Sequence, residues 1–516
     1  MPIRVVKDDD NDNVKDNFPG GGDRPQPGGG GGGGPMNFLP MILMFLFKNP
    51  KLLIIALLGL GAWWYFGGGN LGNLSQQALS TGCSMNKEIY AQTEVYEPLA
   101  DNSKNPLPEK TSLLAFAPAR GNQGSQGSCV AWSSAYAGRS ILYNRQTNNN
   151  GNEAFSPSYL YNQIKLPNCQ GSYIKRAMDA MMQTGSLPMS QFPYSEESCS
   201  RMPNQTEVNQ GARFNIKGYQ RLSRKDDDLR VDMLAVKQYL SQGSPIIIGM
   251  LVGGSFMQPM LGQERWVPLA SDYEQQGFGG HAMCVIGYDD YKYGNEGGFQ
   301  IMNSWGPEWG NNGVGWVRYK DFDYFVQEAY AMYPMGGGPQ FDQNKLQATI
   351  GLVANGKNAI PLIQKSDNTY ITQGPVDKMT KFKIEITNPV ECHTYVFGQE
   401  TDGSSYVIFP YTPKHSPYCG ITGTRLFPKD YSLQTDQVGN KDIFAIVVTK
   451  KPIDYKALNG AINASKLPTY GAKVNEAIAT QKADAMQHSA NGGQISMAGN
   501  LNGKNAVAAI VEMDKK

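Results

Sequence analysis

The sequence predicts an α+β fold, and three observations support that prediction. Helical runs are concentrated between Thr111 and about Thr184, whereas short β-type runs bounded by Gly and Pro follow between Pro245 and Tyr319. Strand-like segments dominate again from Gln340 onward. At 516 residues the chain is long enough for about three folding units.

The composition excludes several classes of function. The formal net charge is +1 and no basic stripe with interleaved aromatic residues is present, so nucleic acid is not an expected partner. The seven cysteines form no Cys-x-x-Cys pair and the chain has only four histidines. We therefore expect no metal site, and we predict no cofactor.

Residues 1–36 predict a disordered tail, because they are rich in Asp, Asn, Gly and Pro and include an unbroken glycine run at 28–34. Residues 37–66 predict a membrane anchor. They contain two apolar runs, 38–47 and 52–66, and a helix from Pro50 to Phe66 would be about 25 Å long, at the short end of what spans a bilayer. The first run either extends this span or lies in the membrane interface.

The charge distribution predicts the orientation of this anchor. An aromatic cluster at 63–65 ends the apolar stretch, and every basic residue up to Lys51 precedes it, whereas the next one is Lys87. The positive-inside rule then predicts a single-pass protein of the cytoplasmic membrane, with its N-terminus inside and its later domains periplasmic or extracellular. A cleaved signal peptide and a buried soluble helix are the alternatives. The long acidic, Gly-rich region ahead of the run disfavours the signal peptide.

The remaining chain divides into three predicted regions. Residues 67–110 are polar and poorly periodic, which predicts a stalk or linker without a long charged helix of the inhibitory prosegment type. Residues 111–339 predict a globular domain with a helical half, a sheet half and a cleft between them. Residues 340–516 predict a separate β-rich domain with a helical insertion at about 457–490.

Cys129 is the first candidate catalytic residue. It lies at the predicted start of a helix, directly after a glycine-rich loop, where unpaired N–H groups and the helix dipole favour a thiolate. Free cysteine is also among the most frequently buried residue types, so its position alone does not identify a nucleophile.

Three further residues supply the other parts of a cysteine-based hydrolytic site. His281 is the only histidine in the predicted globular domain, and it opens a strand after a glycine-rich loop. Asn303 follows and can hold the imidazole in one tautomer, while the Gln123 amide can donate to a developing oxyanion beside the backbone N–H of Cys129. A thiolate, a base, an orienting group and oxyanion donors are what such chemistry requires.

These segments resemble the papain-like cysteine peptidases over roughly 112–335. The matching motifs are Gln-Gly-Ser-x-Gly-Ser-Cys at 123–129, a strand-opening histidine at 281, and Asn-Ser-Trp-Gly-x-x-Trp-Gly-x-Asn-Gly at 303–313. The resemblance implies a domain of two lobes, one helical and one like a β-barrel. It also implies a Cys129–His281 ion pair oriented by Asn303, with Gln123 as oxyanion donor. It further implies contacts with peptide substrate from Gly171, Ser172, Ala282 and Trp305, with Trp305 covering the Asn–His bond.

The chain departs from this family at two positions. Val130 replaces the usual aromatic residue, and Gln126 replaces a cysteine, so one family disulfide cannot form. The candidates for disulfides are then Cys169 with Cys199, and Cys392 with Cys419. We expect Cys284 to be a buried thiol, and Cys83 has no assigned role.

The sequence therefore predicts a membrane-anchored cysteine endopeptidase of the bacterial cell envelope that acts on peptides or proteins outside the cytoplasmic membrane. It contacts the bilayer through residues 50–66, and the C-terminal domain is expected to contact an envelope protein. That domain weakly resembles a β-rich bacterial accessory domain appended to peptidases. Two alternatives remain open: an inactive papain-like binding or scaffold module, and a processing or transpeptidase enzyme dedicated to one partner protein.

Overall fold

A computed structural model describes residues 2–8, 81–100, 103–333, 344–354, 358–429, 431–483 and 487–516. The α-helices are Lys87–Ala91, Cys129–Ala131, Ser140–Thr147, Pro157–Ile164, Ile174–Gln183, Gln205–Gly211, Met233–Ser241, Tyr319–Phe325, Tyr455–Ala464 and Tyr470–Ala477. A π-helical stretch, Trp132–Arg139, joins Cys129–Ala131 to Ser140–Thr147, so that 129–147 form one continuous helix, here called the central helix. Short 3₁₀ helices occur at Leu114–Phe116, Pro167–Cys169, Ala212–Phe214, Gly254–Phe256, Gln258–Met260 and Ala270–Glu274.

The strands are numbered in chain order. The first nine are β1 Ile3–Lys7, β2 Lys110–Ser112, β3 Gly218–Arg221, β4 Ile246–Val252, β5 Arg265–Trp266, β6 Gly279–Asp289, β7 Gly298–Met302, β8 Val314–Arg318 and β9 Val326–Tyr333. The others are β10 Lys345–Ala354, β11 Asn358–Ile360, β12 Leu362–Ser366, β13 Thr369–Thr372, β14 Lys381–Asn388, β15 Cys392–Gln399, β16 Ser405–Phe409, β17 Tyr418–Cys419, β18 Gly423–Phe427, β19 Tyr431–Thr435, β20 Lys441–Thr449, β21 Gln487–Asn491, β22 Gln494–Asn500 and β23 Ala506–Asp514.

One sheet organises the region that carries the candidate catalytic residues. Its strand order is β3-β9-β4-β6-β7-β8-β5, with β2 paired to β6. The central strands β4 and β6 are buried almost throughout, which explains why β4 reads as a continuous apolar run rather than an alternating one. The central helix packs against β6, and one hydrophobic core includes both. This packing brings the helical half and the sheet half together, as the predicted α+β fold requires.

The C-terminal region is built from two further sheets within the described residues. One has the order β1-β19-β14-β10-β22-β21 and the other β12-β13-β23-β20-β15-β16. Apolar side chains from both sheets share a core that includes Ile350, Ile384, Phe444 and Val511. The helices Tyr455–Ala464 and Tyr470–Ala477 cover the other face of the second sheet and form a separate cluster with it. The region is therefore β-rich, as predicted.

The predicted helical insertion is only partly correct. Two helices are present, but Gln487–Asn491 forms strand β21 rather than helix. This strand has no apolar alternation, and its pairing with β22 defines it instead. Local sequence pattern could not reveal that pairing.

The prediction of a disordered tail at 1–36 is wrong for Ile3–Lys7. These residues form β1, which pairs antiparallel with β19 of the C-terminal region, and the Ile3 side chain is buried in that core. The N-terminal strand therefore lies beside a strand that follows it by more than four hundred residues.

The prediction of a stalk at 67–110 is also wrong for the described residues 81–100. Tyr90, Val95 and Tyr96 are buried, and Val95 forms bridges both to Arg221 and to His415. The segment thus packs between the first sheet and the C-terminal region instead of extending into solvent. The segment is polar and has few apolar residues, so its sequence shows no periodic pattern that would predict this packing.

The predicted membrane anchor, 37–66, lies outside the described residues. Within the described residues, no helix combines the length and the apolar character needed to cross a bilayer.

Candidate active site

The start of the central helix positions Cys129. Gly124 has φ +61, a backbone conformation that favours glycine, in the loop that leads into the helix. Ser128 then occupies the N-cap position, and its hydroxyl is hydrogen-bonded to the Tyr194 hydroxyl at 2.8 Å. Cys129 itself is fully buried, with 0% of its surface exposed.

His281 and Asn303 come from adjacent antiparallel strands. His281 lies near the start of β6, and Asn303 follows the end of β7. The His281 Nε2–H donates to Asn303 Oδ1 at 2.7 Å. This bond leaves Nδ1 as the basic nitrogen, and Nδ1 is buried without a hydrogen-bond partner among the described residues.

Trp305 and Ala282 complete the arrangement around the histidine. The Trp305 ring stacks on the His281 ring with a centroid distance of 4.4 Å and an interplanar angle of 24°. The Ala282 backbone N–H donates to Cys129 Sγ at 3.4 Å. The residue after the histidine therefore contacts the cysteine directly, and the structure brings Cys129, His281 and Asn303 into one buried cluster.

Gln123 lies in the loop before Cys129 and is fully buried. Its side-chain Nε2–H donates to the Gln126 carbonyl at 2.8 Å, and its Oε1 accepts from the Ser304 hydroxyl at 2.7 Å. These bonds tie the cysteine loop to the segment that carries Asn303. A role as oxyanion donor stays a prediction.

A segment of the same chain occupies the cleft beside Cys129. We call residues 81–86 the cleft segment. Gly82 and Cys83 donate backbone N–H groups to the Gly280 carbonyl at 3.3 and 3.1 Å. Ser84 N–H donates to the Ser172 carbonyl and Ser172 N–H donates to the Gly82 carbonyl, both at 2.8 Å. The cleft segment is thus bonded on both sides, like an extra strand between the two halves.

This occupation is sterically tight. A Cβ added at Gly82 would meet the Gly127 carbonyl oxygen at 2.2 Å, and one at Gly171 would meet the Gly82 carbonyl oxygen at 2.2 Å. After the cleft segment, Asn86 caps the helix Lys87–Ala91, in which Tyr90 packs against Tyr330. The cleft segment therefore lies in close contact with the backbone at Gly127, Gly171 and Gly280.

The predicted substrate-binding residues lie around this segment. Ser172 forms two backbone bonds with it, and Gly171, with φ +84, lies against the Gly82 carbonyl. Ala282 contacts the sulfur of Cys129, whereas Trp305 stacks on His281. Gly171 and Ser172 therefore lie on the cleft wall that an extended chain contacts, while Ala282 and Trp305 surround the reacting groups.

Burial changes the protonation of the two reacting groups. It raises the pKa of the Cys129 thiol to about 12, although backbone N–H groups, including that of Ala282, oppose this shift. It also lowers the pKa of His281 to about 4, although the bond to Asn303 opposes that shift. With the cleft segment in place, the neutral thiol and neutral imidazole are favoured at pH 7, rather than the predicted ion pair.

The sequence prediction missed two features of the cleft. The cleft segment, Thr-Gly-Cys-Ser-Met-Asn, is short and polar, and its only signal is Asn86 as a helix N-cap. Glu328 was also missed. It is a charged residue inside the apolar strand β9, and that placement could have indicated a special role.

Of the two predicted disulfides, the structure contains one. The structure contains the Cys169–Cys199 disulfide, with the two Cα atoms 6.2 Å apart. The predicted Cys392–Cys419 disulfide is absent, although the two residues lie opposite each other in β15 and β17. Sequence could indicate this proximity but not the oxidation state. Cys83 and Cys284 are buried thiols.

Comparison with known proteins agrees with this geometry. The model of the papain family cysteine proteases matches residues 115–334, which include Cys129, His281 and Asn303. An uncharacterized peptidase C1-like protein of Acanthamoeba polyphaga mimivirus is 30% identical over 39% of this chain and 64% of its own length. A cysteine protease of Blomia tropicalis is 27% identical over 38% of this chain and 56% of its own length.

Residues 115–334 therefore form a papain-family cysteine peptidase domain. This chain spans less than two thirds of the length of the relatives above. Among solved structures, xylellain, a cysteine protease from Xylella fastidiosa, aligns over 51% of this chain and 98% of its own, with 21% identity and a TM-score of 0.41. A TM-score of this size does not support any further conclusion about this chain.

Replacing Gly82 with alanine should expel the cleft segment, because the added Cβ has no room beside the Gly127 backbone. Burial is the largest cause of the raised pKa of Cys129, so we expect departure of the segment to lower that pKa even though the opposing contribution of the Gly82 backbone is lost. We expect alkylation of Cys129 by iodoacetamide at pH 7 to become at least tenfold faster, because a fall of one pKa unit gives about tenfold more thiolate.

The matched control is Gly374→Ala, since a Cβ at Gly374 meets nothing within 4 Å. Peptide mass spectrometry quantifies alkylation at Cys129 in each variant. Equal rates in Gly82→Ala, Gly374→Ala and the unsubstituted chain would contradict occupation of the cleft by residues 81–86.

Proposed function

We propose that the protein is a membrane-anchored cysteine endopeptidase that hydrolyses peptide bonds through Cys129, His281 and Asn303. One observation carries this proposal. His281 donates from Nε2 to Asn303 and has an unpartnered, buried Nδ1, while the next residue, Ala282, contacts the Cys129 sulfur through its backbone N–H. A base with one nitrogen fixed and the other unpartnered, in the residue next to the one that contacts the thiol, supports nucleophilic catalysis by Cys129.

The proposed reaction begins when the cleft segment leaves and a peptide takes its place. His281 Nδ1 accepts the Cys129 proton, and the thiolate attacks the peptide carbonyl carbon. The backbone N–H of Cys129 and the Gln123 amide stabilise the oxyanion. His281 then donates its proton to the leaving amine, which yields an acyl-enzyme. Water, deprotonated by the same nitrogen, releases the acid and restores the thiol.

Asn303 has a positioning role in this scheme. Its Oδ1 accepts from both His281 Nε2 and the Ser304 backbone N–H, each at 2.7 Å, so the oxygen is held on two sides. A neutral amide fixes the tautomer without adding a charge that would compete with the imidazolium for the thiolate. Trp305 shields the bond from water by covering one face of the ring.

Cys129→Ser in the Gly82→Ala background should lose roughly a thousandfold or more of kcat/KM toward a fluorogenic peptide library, because the nucleophile carries the covalent step. Cys284→Ala in the same background is the matched control, since Cys284 is another buried thiol of this domain. Progress curves and labelling by a peptidyl epoxide measure the effect. Equal losses in both variants, or no hydrolysis before substitution, would favour a binding module over a peptidase.

The membrane part of the proposal rests on the sequence of residues 50–66 and the aromatic cluster after it. We propose attachment to the cytoplasmic membrane, with the peptidase domain on the outer side. The pairing of β1 with β19 modifies the topology, because β1 must then lie on the same side as the C-terminal region. The C-terminal domain remains a proposed contact site for an envelope protein.

Epitope tags at Met1 and after Lys516 test this topology in intact spheroplasts. An impermeant antibody should reach both tags, because β1 and β19 share one sheet. Labelling of the C-terminal tag alone would restore the single-pass topology and contradict the strand pairing. Release of the full chain by alkaline carbonate would contradict membrane attachment itself.

A further inference from the structure

We infer that Glu328 makes one subsite of the cleft selective for a basic side chain of the peptide substrate. This inference rests on the proposed peptidase function and specifies which substrates it favours. Glu328 lies in β9 and is 4% exposed. Its Oε1 accepts from the backbone N–H of Asn86 at 3.1 Å, so the carboxyl group contacts the cleft segment itself.

The pocket beside Glu328 is currently filled by Met85. Gly249 pairs in register with Glu328, and a Cβ at Gly249 would meet Met85 Sδ at 3.1 Å. Residues opposite each other in an antiparallel pair place their side chains on the same face of the sheet. Met85 and the Glu328 side chain therefore share one face, and we call the space around them the Met85 pocket.

Two other residues bound this pocket. Ile174 Cδ1 would lie 3.4 Å from the same Gly249 Cβ, and a Cβ at Gly280 would meet Met85 Cε at 3.1 Å. The glycines leave room for a long side chain, while Ile174 supplies an apolar wall. A long aliphatic stem that ends in a polar group fits such a pocket, as lysine and arginine do.

Glu328 has no cationic partner in the described part of the chain. The ion pairs there do not include it, and its other hydrogen bond comes from the Tyr330 hydroxyl at 3.3 Å. Burial raises its pKa to about 8, and the bonds from Asn86 and Tyr330 only partly oppose this shift. A buried carboxylate without a counter-charge is costly, so this carboxyl group is mostly protonated at pH 7, and a cation that entered beside it would favour its ionised form.

Departure of the cleft segment leaves the Glu328 carboxyl group with fewer partners. The Asn86 N–H leaves with the segment, so one carboxyl oxygen loses its partner and faces the open cleft. The cleft segment contains no lysine or arginine. A substrate with a basic residue at this subsite supplies an interaction that the cleft segment lacks, and it therefore competes with the segment better than an apolar substrate of equal length does.

Positional-scanning libraries of fluorogenic tetrapeptides, assayed with the full chain carrying Gly82→Ala, test this inference. At one position we expect lysine or arginine to exceed norleucine at least tenfold in kcat/KM, since a charge-assisted bond of this kind typically gives tenfold or more. Glu328→Gln should abolish that preference at the same position while cleavage of the norleucine peptide persists. Norleucine matches the unbranched stem without the charge.

Glu391→Gln is the matched control, because Glu391 is an equally buried carboxylate outside the cleft, beside Lys217. It should keep the preference for basic residues. Hydrolysis without any preference for basic residues, or a preference unchanged in Glu328→Gln, would overturn the inference and leave the peptidase proposal intact. No hydrolysis of any peptide, together with no epoxide labelling of Cys129, would instead overturn the proposed function.

Discussion

The contact between the start of the central helix and strand β6 determines the rest of the site. The Ala282 N–H donates to the Cys129 sulfur, and the neighbouring His281 is held by Asn303 from the adjoining strand. The nucleophile therefore belongs to the helical half and the base to the sheet half. Any shift of the helix against the sheet would move the proposed nucleophile away from the proposed base. The hydrophobic core that the helix and the sheet share therefore also holds these two residues in place.

The cleft segment uses the same surfaces and changes their chemistry. It forms backbone hydrogen bonds with Gly280 on one cleft wall and with Ser172 on the other, and Cys129 beside it is fully buried. Burial then raises the pKa of the thiol and lowers that of His281, so the proton stays on sulfur. Exclusion of substrate and loss of thiolate arise from one structural cause. We expect departure of residues 81–86 to reverse both.

Sequence predicted the residues whose chemistry is local, but not those that depend on distant pairing. Cys129, His281 and Asn303 lie in motifs with a clear chemical reason, and the helix Ile174–Gln183 follows its periodic pattern. Strand β1 is a short apolar run whose partner lies at the other end of the chain. The contact of Glu328 with Asn86 depends on how the cleft segment docks, which no local pattern encodes.

Hydrogen exchange of the full chain before and after covalent labelling of Cys129 by a peptidyl epoxide tests the central claim most directly. That claim is that residues 81–86 occupy the cleft used by a substrate. The account predicts that the Ser84 and Cys83 amides are protected before labelling and exchange freely afterwards, because the peptide takes their partners. Labelled Cys129 with these amides still protected, or exposed amides in the unlabelled chain, would contradict it.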